Sequence, residues 1–161
     1  EPELVLFLMK LSIGDAAPAF SLLDQKGNIH SLRDALGKRV LLYFYPKDDT
    51  EGCTKQACAV QEALPDFKKL GITVWGISVD PIKSHAKFAA KYGLSFTLLS
   101  DENKKVVEKY GVWGTKKFMG REYMGTLRTS FLISSTGTIE KIYENVKPET
   151  HVAEVLADLI K

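Results

Sequence analysis

The chain has 161 residues, of which 45% are hydrophobic, 10% aromatic and 26% charged. That composition fits one globular domain and excludes a disordered chain. A net charge of +2 with no dense Lys/Arg block argues against nucleic acid as a partner. Two cysteines are too few for a secreted disulfide scaffold, and no stretch approaches the ~20 apolar residues that cross a bilayer. A cytoplasmic, reducing compartment with no membrane partner is therefore expected.

The first apolar run, "LVLFLM", follows Glu1 and Glu3 instead of basic residues and is too short for a signal-peptide core. Residues 1–11 are expected to be an N-terminal extension or a remnant of expression, with Met9 a candidate start. An exposed apolar strand packing on another subunit is the alternative for this run. The domain itself is expected over residues 12–161. "PAFSLLDQKGNIHSL" alternates apolar and polar residues around Lys26-Gly27, the pattern of a hairpin. "VLLYFY" (residues 40–45) is a continuous β-prone run, as in a strand buried on both faces, and Pro46 ends it.

From about Gly52 the pattern turns helical; Pro65 is expected to kink or restart that helix before Gly71 closes it. "ITVWGISVD" is a second buried strand, followed by a helix over residues 82–92. "FTLLSD" gives a short strand and "NKKVVEKYG" a short helix stopped by Gly111. "SFLIS" and "TIEKIYE" form a second hairpin around Thr136-Gly137. A last helix fills "THVAEVLADLIK", with Thr150 as its cap. The order is hairpin, then βαβαβα, then an antiparallel pair and a closing helix. It predicts an α/β fold: a mixed central sheet with helices on both faces and an N-terminal β-hairpin.

Both cysteines fall in "PKDDTEGCTKQACAV", together with Asp48, Asp49 and Glu51. A strand ends at Pro46 and a loop delivers Cys53 into the first turn of a helix. The free amides and positive dipole end of such a turn favour an anion, and so a thiolate. Thr50 offers a hydroxyl to the sulfur or to a bound oxygen, and equally serves as a helix cap. Cys58 lies five positions further on, which in an ideal helix separates the Cα atoms by roughly 8–9 Å. A disulfide needs less than about 7 Å, so the pair joins only if the helix unwinds. The aspartates are expected to be exposed, offset by Lys47 and Lys55, and worth less than about 1 kcal/mol each.

The residues alone leave several readings open. Two core cysteines are one, although positions five apart share no helix face. Zinc is another, but His30, His85 and His151 are scattered along the chain. A redox-active thiol pair is the third. Its four intervening residues set it apart from the two of a C-x-x-C motif. A lone Arg128 reads most simply as a surface ion pair, and Trp113, Phe118 and Tyr123 as lining the core or a pocket rim.

"YFYPKDDTEGCTKQAC" resembles the signature of the peroxiredoxins of the bacterioferritin-comigratory-protein (Q-type) subfamily. The family's pattern of Pro, three residues, Thr, two residues and Cys falls on Pro46, Thr50 and Cys53. The subfamily's resolving cysteine falls on Cys58. "KKFMGREYMGTLRTSFLIS" resembles the segment carrying the family's active-site arginine, which maps to Arg128. "GISVD" and "FTLLSD" match as well, so the resemblance runs from about Gly14 to the C-terminus. Two positions depart from the pattern: Glu51 stands where Pro is usual, and Gln56 where Glu is common.

The resemblance implies a thioredoxin-like fold and reduction of hydrogen peroxide and alkyl hydroperoxides, with no metal, haem or flavin. Cys53 would be the attacking thiol and Cys58 the resolving one. Arg128 and Thr50 would complete the catalytic set, with Pro46 and Gly52 supporting them. Thioredoxin or a similar dithiol would regenerate the enzyme; a monomer is expected and a dimer is the alternative. A thiol–disulfide oxidoreductase or chaperone on the same fold, or a non-catalytic redox sensor, would show the same thiols but no sustained peroxide consumption.

Overall fold

The computed structural model describes residues 10–160. Expectations for the apolar run at residues 4–9 lie outside the described residues. The first hairpin forms as its alternation requires, β1 (Ser21–Asp24) against β2 (Ile29–Ser31), followed by a single turn of helix, α1 (Leu32–Ala35). β3 (Arg39–Phe44), helix α2 (Glu51–Lys69), β4 (Ile72–Ser78), helix α3 (Ile82–Tyr92), β5 (Thr97–Ser100) and helix α4 (Lys105–Lys109) then alternate. A second hairpin, β6 (Trp113–Phe118) with β7 (Arg121–Thr126), stands outside the main sheet. β8 (Thr129–Ile133), β9 (Ile139–Tyr143) and helix α5 (His151–Ile160) complete the chain.

Among the described residues the main sheet has seven strands in the order β2-β1-β5-β4-β3-β8-β9. β3, β4 and β5 are parallel, while β8 runs antiparallel to β3 and β1 antiparallel to β5. Helices cover both faces, as expected for a strand as apolar as β3. Leu41 and Tyr43 face one cluster, with α2, Phe88 of α3 and Val155 of α5. Val40, Leu42 and Phe44 face the other, with Leu32 of α1 and Val106 and Val107 of α4. Leu11, inside the stretch read as an extension, packs against this second cluster.

Two local expectations are corrected. Pro65 does not restart the helix, because α2 runs unbroken from Glu51 to Lys69 with Pro65 inside it. Val60 and Ala63 before it and Phe67 after it are buried in the same cluster, and that packing outweighs the one backbone bond a proline forgoes. The β6–β7 hairpin is absent from the sequence reading. Its turn places Met119 and Gly120 at φ 51° and 80°, the conformation of a tight two-residue hairpin turn. Its strands are mostly exposed on both faces, so no apolar alternation marks them. Phe118 is 66% and Tyr123 48% exposed on this hairpin, so neither is a core residue; half-buried Trp113 alone of the three packs against the core.

Candidate active site

β3 ends at the edge of the cluster beneath α2, and the loop of residues 45–50 carries the chain to the helix start. Thr50 is the residue before the first turn, but its hydroxyl makes no cap bond. Its Oγ1 instead donates to the Lys47 carbonyl at 2.9 Å, closing the loop on itself. The Thr50 carbonyl accepts the Thr54 amide at 2.8 Å and so begins the helical ladder. Pro46 sits half-buried at the bend.

Cys53 is the third residue of α2 and is buried, whereas Cys58 is half-buried; both are free thiols. Arg128, in the link between β7 and β8, reaches back across 75 positions to donate from Nη2 to Cys53 Sγ at 3.2 Å. Its Nη1 donates to Gln56 Oε1 at 2.9 Å. The planar fork of a guanidinium suits this two-pronged contact, which an ammonium could not make. Gly52 makes room for it: a Cβ at that position would lie 2.7 Å from Arg128 Nη2 and 3.2 Å from Pro148 Cγ. Thus Cys53, Gly52 and Arg128 come together, with the Thr50 hydroxyl turned to the loop and Cys58 further along the helix.

Gln56, met in the sequence only as a departure from a family pattern, is fully buried as the second anchor of Arg128. Its signal was the three-residue spacing from Cys53, which puts both on one helix face. A neutral amide holds the guanidinium without cancelling its charge, so more of that charge is left for the sulfur. Lys116 of β6 adds a second cation. Its Nζ donates to the Thr126 carbonyl at 3.1 Å, and burial, then the charge of Arg128, pull it below the usual lysine range.

The acidic residues beside the thiol are not what their position suggested. Asp48 is buried, not exposed. It accepts from the Tyr45 hydroxyl at 2.6 Å and the Ser84 hydroxyl at 2.8 Å, and it lies 2.6 Å from His85 Nδ1. His85 Nε2 faces the Leu99 carbonyl at 2.9 Å; a carbonyl only accepts, so this nitrogen carries a proton. Burial, then the Asp48 carboxylate, push the Tyr45 hydroxyl well above its ordinary range, which keeps it a donor. Asp49 is exposed and bonds Lys91 and the Tyr92 hydroxyl. Both aspartates are therefore held by side chains of α3, not by Lys47 and Lys55, and they pin the loop that delivers Cys53. The sequence signal was His85, which shares the apolar stripe of α3 with Phe88.

Asp48, Asp80 and His85 place one ligand atom each within 4.8 Å of one another. Those atoms are engaged with each other and with the chain: Asp80 Oδ2 accepts the Asp48 amide and the Ser78 hydroxyl. The group is a hydrogen-bonded clamp on the loop. A cavity of about 670 Å³ lies elsewhere, lined by Leu11, Tyr110, Trp113, Leu127, Phe131 and Ile142 among others, and neither cysteine borders it.

Glu51 opens α2, its side chain 86% exposed and paired with Lys55 at 3.2 Å. Proline is well tolerated at a first helical position, so Glu51→Pro is expected to fold. Removing an exposed charge changes a neighbour by less than about 1 kcal/mol. The iodoacetamide reactivity of Cys53 at neutral pH should thus rise by less than about fivefold, and the gain should shrink in high salt. A salt-independent rise above about thirtyfold would show that Glu51 acts inside the site.

The chain is similar in sequence and in fold to known proteins. Residues 13–142 match the AhpC/TSA family. Peroxiredoxin Bcp of Escherichia coli is 49% identical over 91% of this chain and 94% of its own. The structure of Xanthomonas campestris bacterioferritin comigratory protein superposes with a TM-score of 0.83 at 35% identity, covering 88% of this chain and 90% of that one. A Xylella fastidiosa PrxQ structure gives 0.88 at 32% identity over 93% and 96%. The chain belongs to the AhpC/TSA family, as a peroxiredoxin of the Bcp/Q type with a thioredoxin-like fold. Peroxiredoxins are thiol-dependent peroxidases, so this chain is an oxidoreductase. Among the described residues, no helix is long and apolar enough to cross a membrane.

Proposed function

We propose that this protein reduces hydrogen peroxide and alkyl hydroperoxides through Cys53, with Cys58 as the resolving thiol and a thioredoxin-type dithiol as the reductant. The observation that carries this reading is the Arg128 Nη2 contact with a buried cysteine at a helix start. The Xanthomonas campestris relative, with its alkyl peroxide reduction activity, supports organic hydroperoxides as one substrate class.

In the first step the Cys53 thiolate attacks the terminal peroxide oxygen. A sulfur–oxygen bond forms, the oxygen–oxygen bond breaks, and its electron pair leaves on water or an alcohol. Charge moves from sulfur to the departing oxygen, so a fixed cation touching the sulfur also stabilises what leaves. Arg128 fills that role with the amides at Gly52 and Cys53; the Thr50 hydroxyl, its proton on the Lys47 carbonyl, is left to accept a hydrogen bond from the peroxide, and Pro46 shapes the loop and shields the thiolate from water. In the second step Cys58 attacks the sulfenic sulfur, water leaves and a Cys53–Cys58 disulfide forms for the dithiol to reduce. The protein works as a monomer in a reducing cytoplasm, on neither nucleic acid nor membrane.

Peroxide consumption coupled to thioredoxin tests the whole scheme. A redox sensor would react once and stop, and a disulfide oxidoreductase or chaperone would reshuffle protein disulfides without consuming peroxide. The second step carries its own prediction. Both cysteines lie inside α2, where helical geometry holds their Cα atoms roughly 8–9 Å apart, too far for a disulfide. Amides over residues 52–60 should exchange faster in the oxidised protein than in the reduced one. Equal protection in the two states would mean that an external thiol, not Cys58, resolves Cys53.

A further inference from the structure

The other buried tyrosines find partners for their hydroxyls: Tyr45 donates to Asp48, Tyr110 to the Pro18 carbonyl and Tyr143 to Asp158. Tyr43 does not. Its hydroxyl is completely buried and, among the described residues, has no hydrogen-bond partner. The ring lies over Gly76, its neighbour in the parallel β3–β4 pair. A Cβ at Gly76 would stand 2.8 Å from Tyr43 Cζ and 2.9 Å from the hydroxyl oxygen. A glycine therefore keeps the seat open, and the buried face of α2, with Cys53 and Ala57, belongs to the same cluster as the ring. Burial, and after it the Cys53 sulfur, push this hydroxyl well above its ordinary range. It stays a protonated donor with nothing to donate to.

An orphaned hydroxyl is penalised only while it is dry. Cys53 and Ala57, from the first turns of α2, pack in the cluster that buries this ring; if opening those turns wets the hydroxyl, the penalty falls on the closed helix and not on the open one. We propose that Tyr43 is a positioning residue for the resolving step, its unpartnered hydroxyl biasing the start of α2 toward the open form that Cys58 needs. This rests on the peroxidase reading above. The Cys53 sulfenic acid then has two competing fates. Cys58 attacks its sulfur, a sulfur–sulfur bond forms, and the hydroxyl leaves with a proton as water. Alternatively the sulfenate attacks a second peroxide, gains an oxygen and becomes a sulfinic acid, while water or an alcohol leaves. A helix that opens readily favours the first.

Tyr43→Phe keeps the ring and removes only the hydroxyl. In the reduced variant, amides over residues 52–60 should exchange about tenfold more slowly, equivalent to about 1.4 kcal/mol, while those of α3 keep their rates. During turnover with excess peroxide and thioredoxin, the sulfinic form of Cys53, read by mass spectrometry, should build up about tenfold faster. Unchanged or faster exchange at α2 would overturn the proposal, as would slowing spread evenly over the protein or an unchanged sulfinic yield. Slower exchange confined to α2, in a protein whose Cys53 forms no sulfenic acid at all, would uphold the effect of Tyr43 on the helix and overturn the peroxidase reading separately.

Discussion

Cys53→Ser is expected to consume no peroxide above the uncatalysed rate, with thioredoxin or any small dithiol as reductant. A serine hydroxyl at a helix start stays protonated near neutral pH, and its oxygen is a far poorer nucleophile toward peroxide than a thiolate sulfur. The substitution is nearly isosteric in a buried position, and Arg128 can still donate to the oxygen, so the variant should fold. Cys58→Ser should behave differently: one equivalent of peroxide is consumed per chain, Cys53 is left as a sulfenic acid trapped by dimedone, and turnover with thioredoxin stops. Stopped-flow peroxide decay and intact-mass analysis measure both. Steady turnover in the Cys53 variant would remove it from the attacking role, and full turnover in the Cys58 variant would remove the intramolecular disulfide from the cycle.

The succession of strands and helices up to residue 110 and the helix start at the cysteines were legible because their signals are local. The apolar run before Pro46 is long enough to be a two-faced strand, and Gly71, Gly93 and Gly111 mark where three helices end. The helices over residues 82–92 and near the C-terminus were visible from their own periodicity. The β6–β7 hairpin was not, since apart from Trp113 at its base and Thr126 its strands are largely exposed and carry no apolar alternation. Resemblance, not pattern, singled out Arg128; 75 positions separate it from Cys53, and no local rule links them.

The acidic cluster shows the opposite failure, a local rule applied where tertiary structure decides. Adjacent aspartates in a loop before a helix are normally solvated, and Asp49 is exposed. Asp48 is not, because α3 brings His85 and Ser84 against it. The two side chains of one dipeptide thus serve the site by pinning its loop at two points on the same helix, away from the sulfur. In the proposed resolving step, which opens the start of α2, a loop that stays fixed would return Thr50 and Gly52 to the same place.

Arg128→Met is expected to slow sulfenic acid formation by about 10²–10³, with the fold retained. Loss of one charge-assisted donor aimed at developing charge costs ~2.7–4 kcal/mol in enzymes that stabilise an oxyanion in the same way. Here the donor touches the nucleophile itself at 3.2 Å, so the loss weakens both the thiolate and the transition state. Methionine fills much of the volume of the arginine stem but leaves the buried Gln56 oxygen without its partner. Some stability is lost as well, which is why urea unfolding must accompany the kinetics. Arg128→Lys separates charge from geometry. An ammonium keeps the charge but cannot span Gln56 and Cys53 with one rigid fork, so its rate should fall between those of the wild type and the methionine variant. Second-order rates of Cys53 oxidation, followed by intrinsic fluorescence or by competition with a known peroxide scavenger, give the numbers. A methionine variant within about threefold of the wild type would transfer the role to the remaining cation near the sulfur, Lys116, which burial already holds below the usual lysine range.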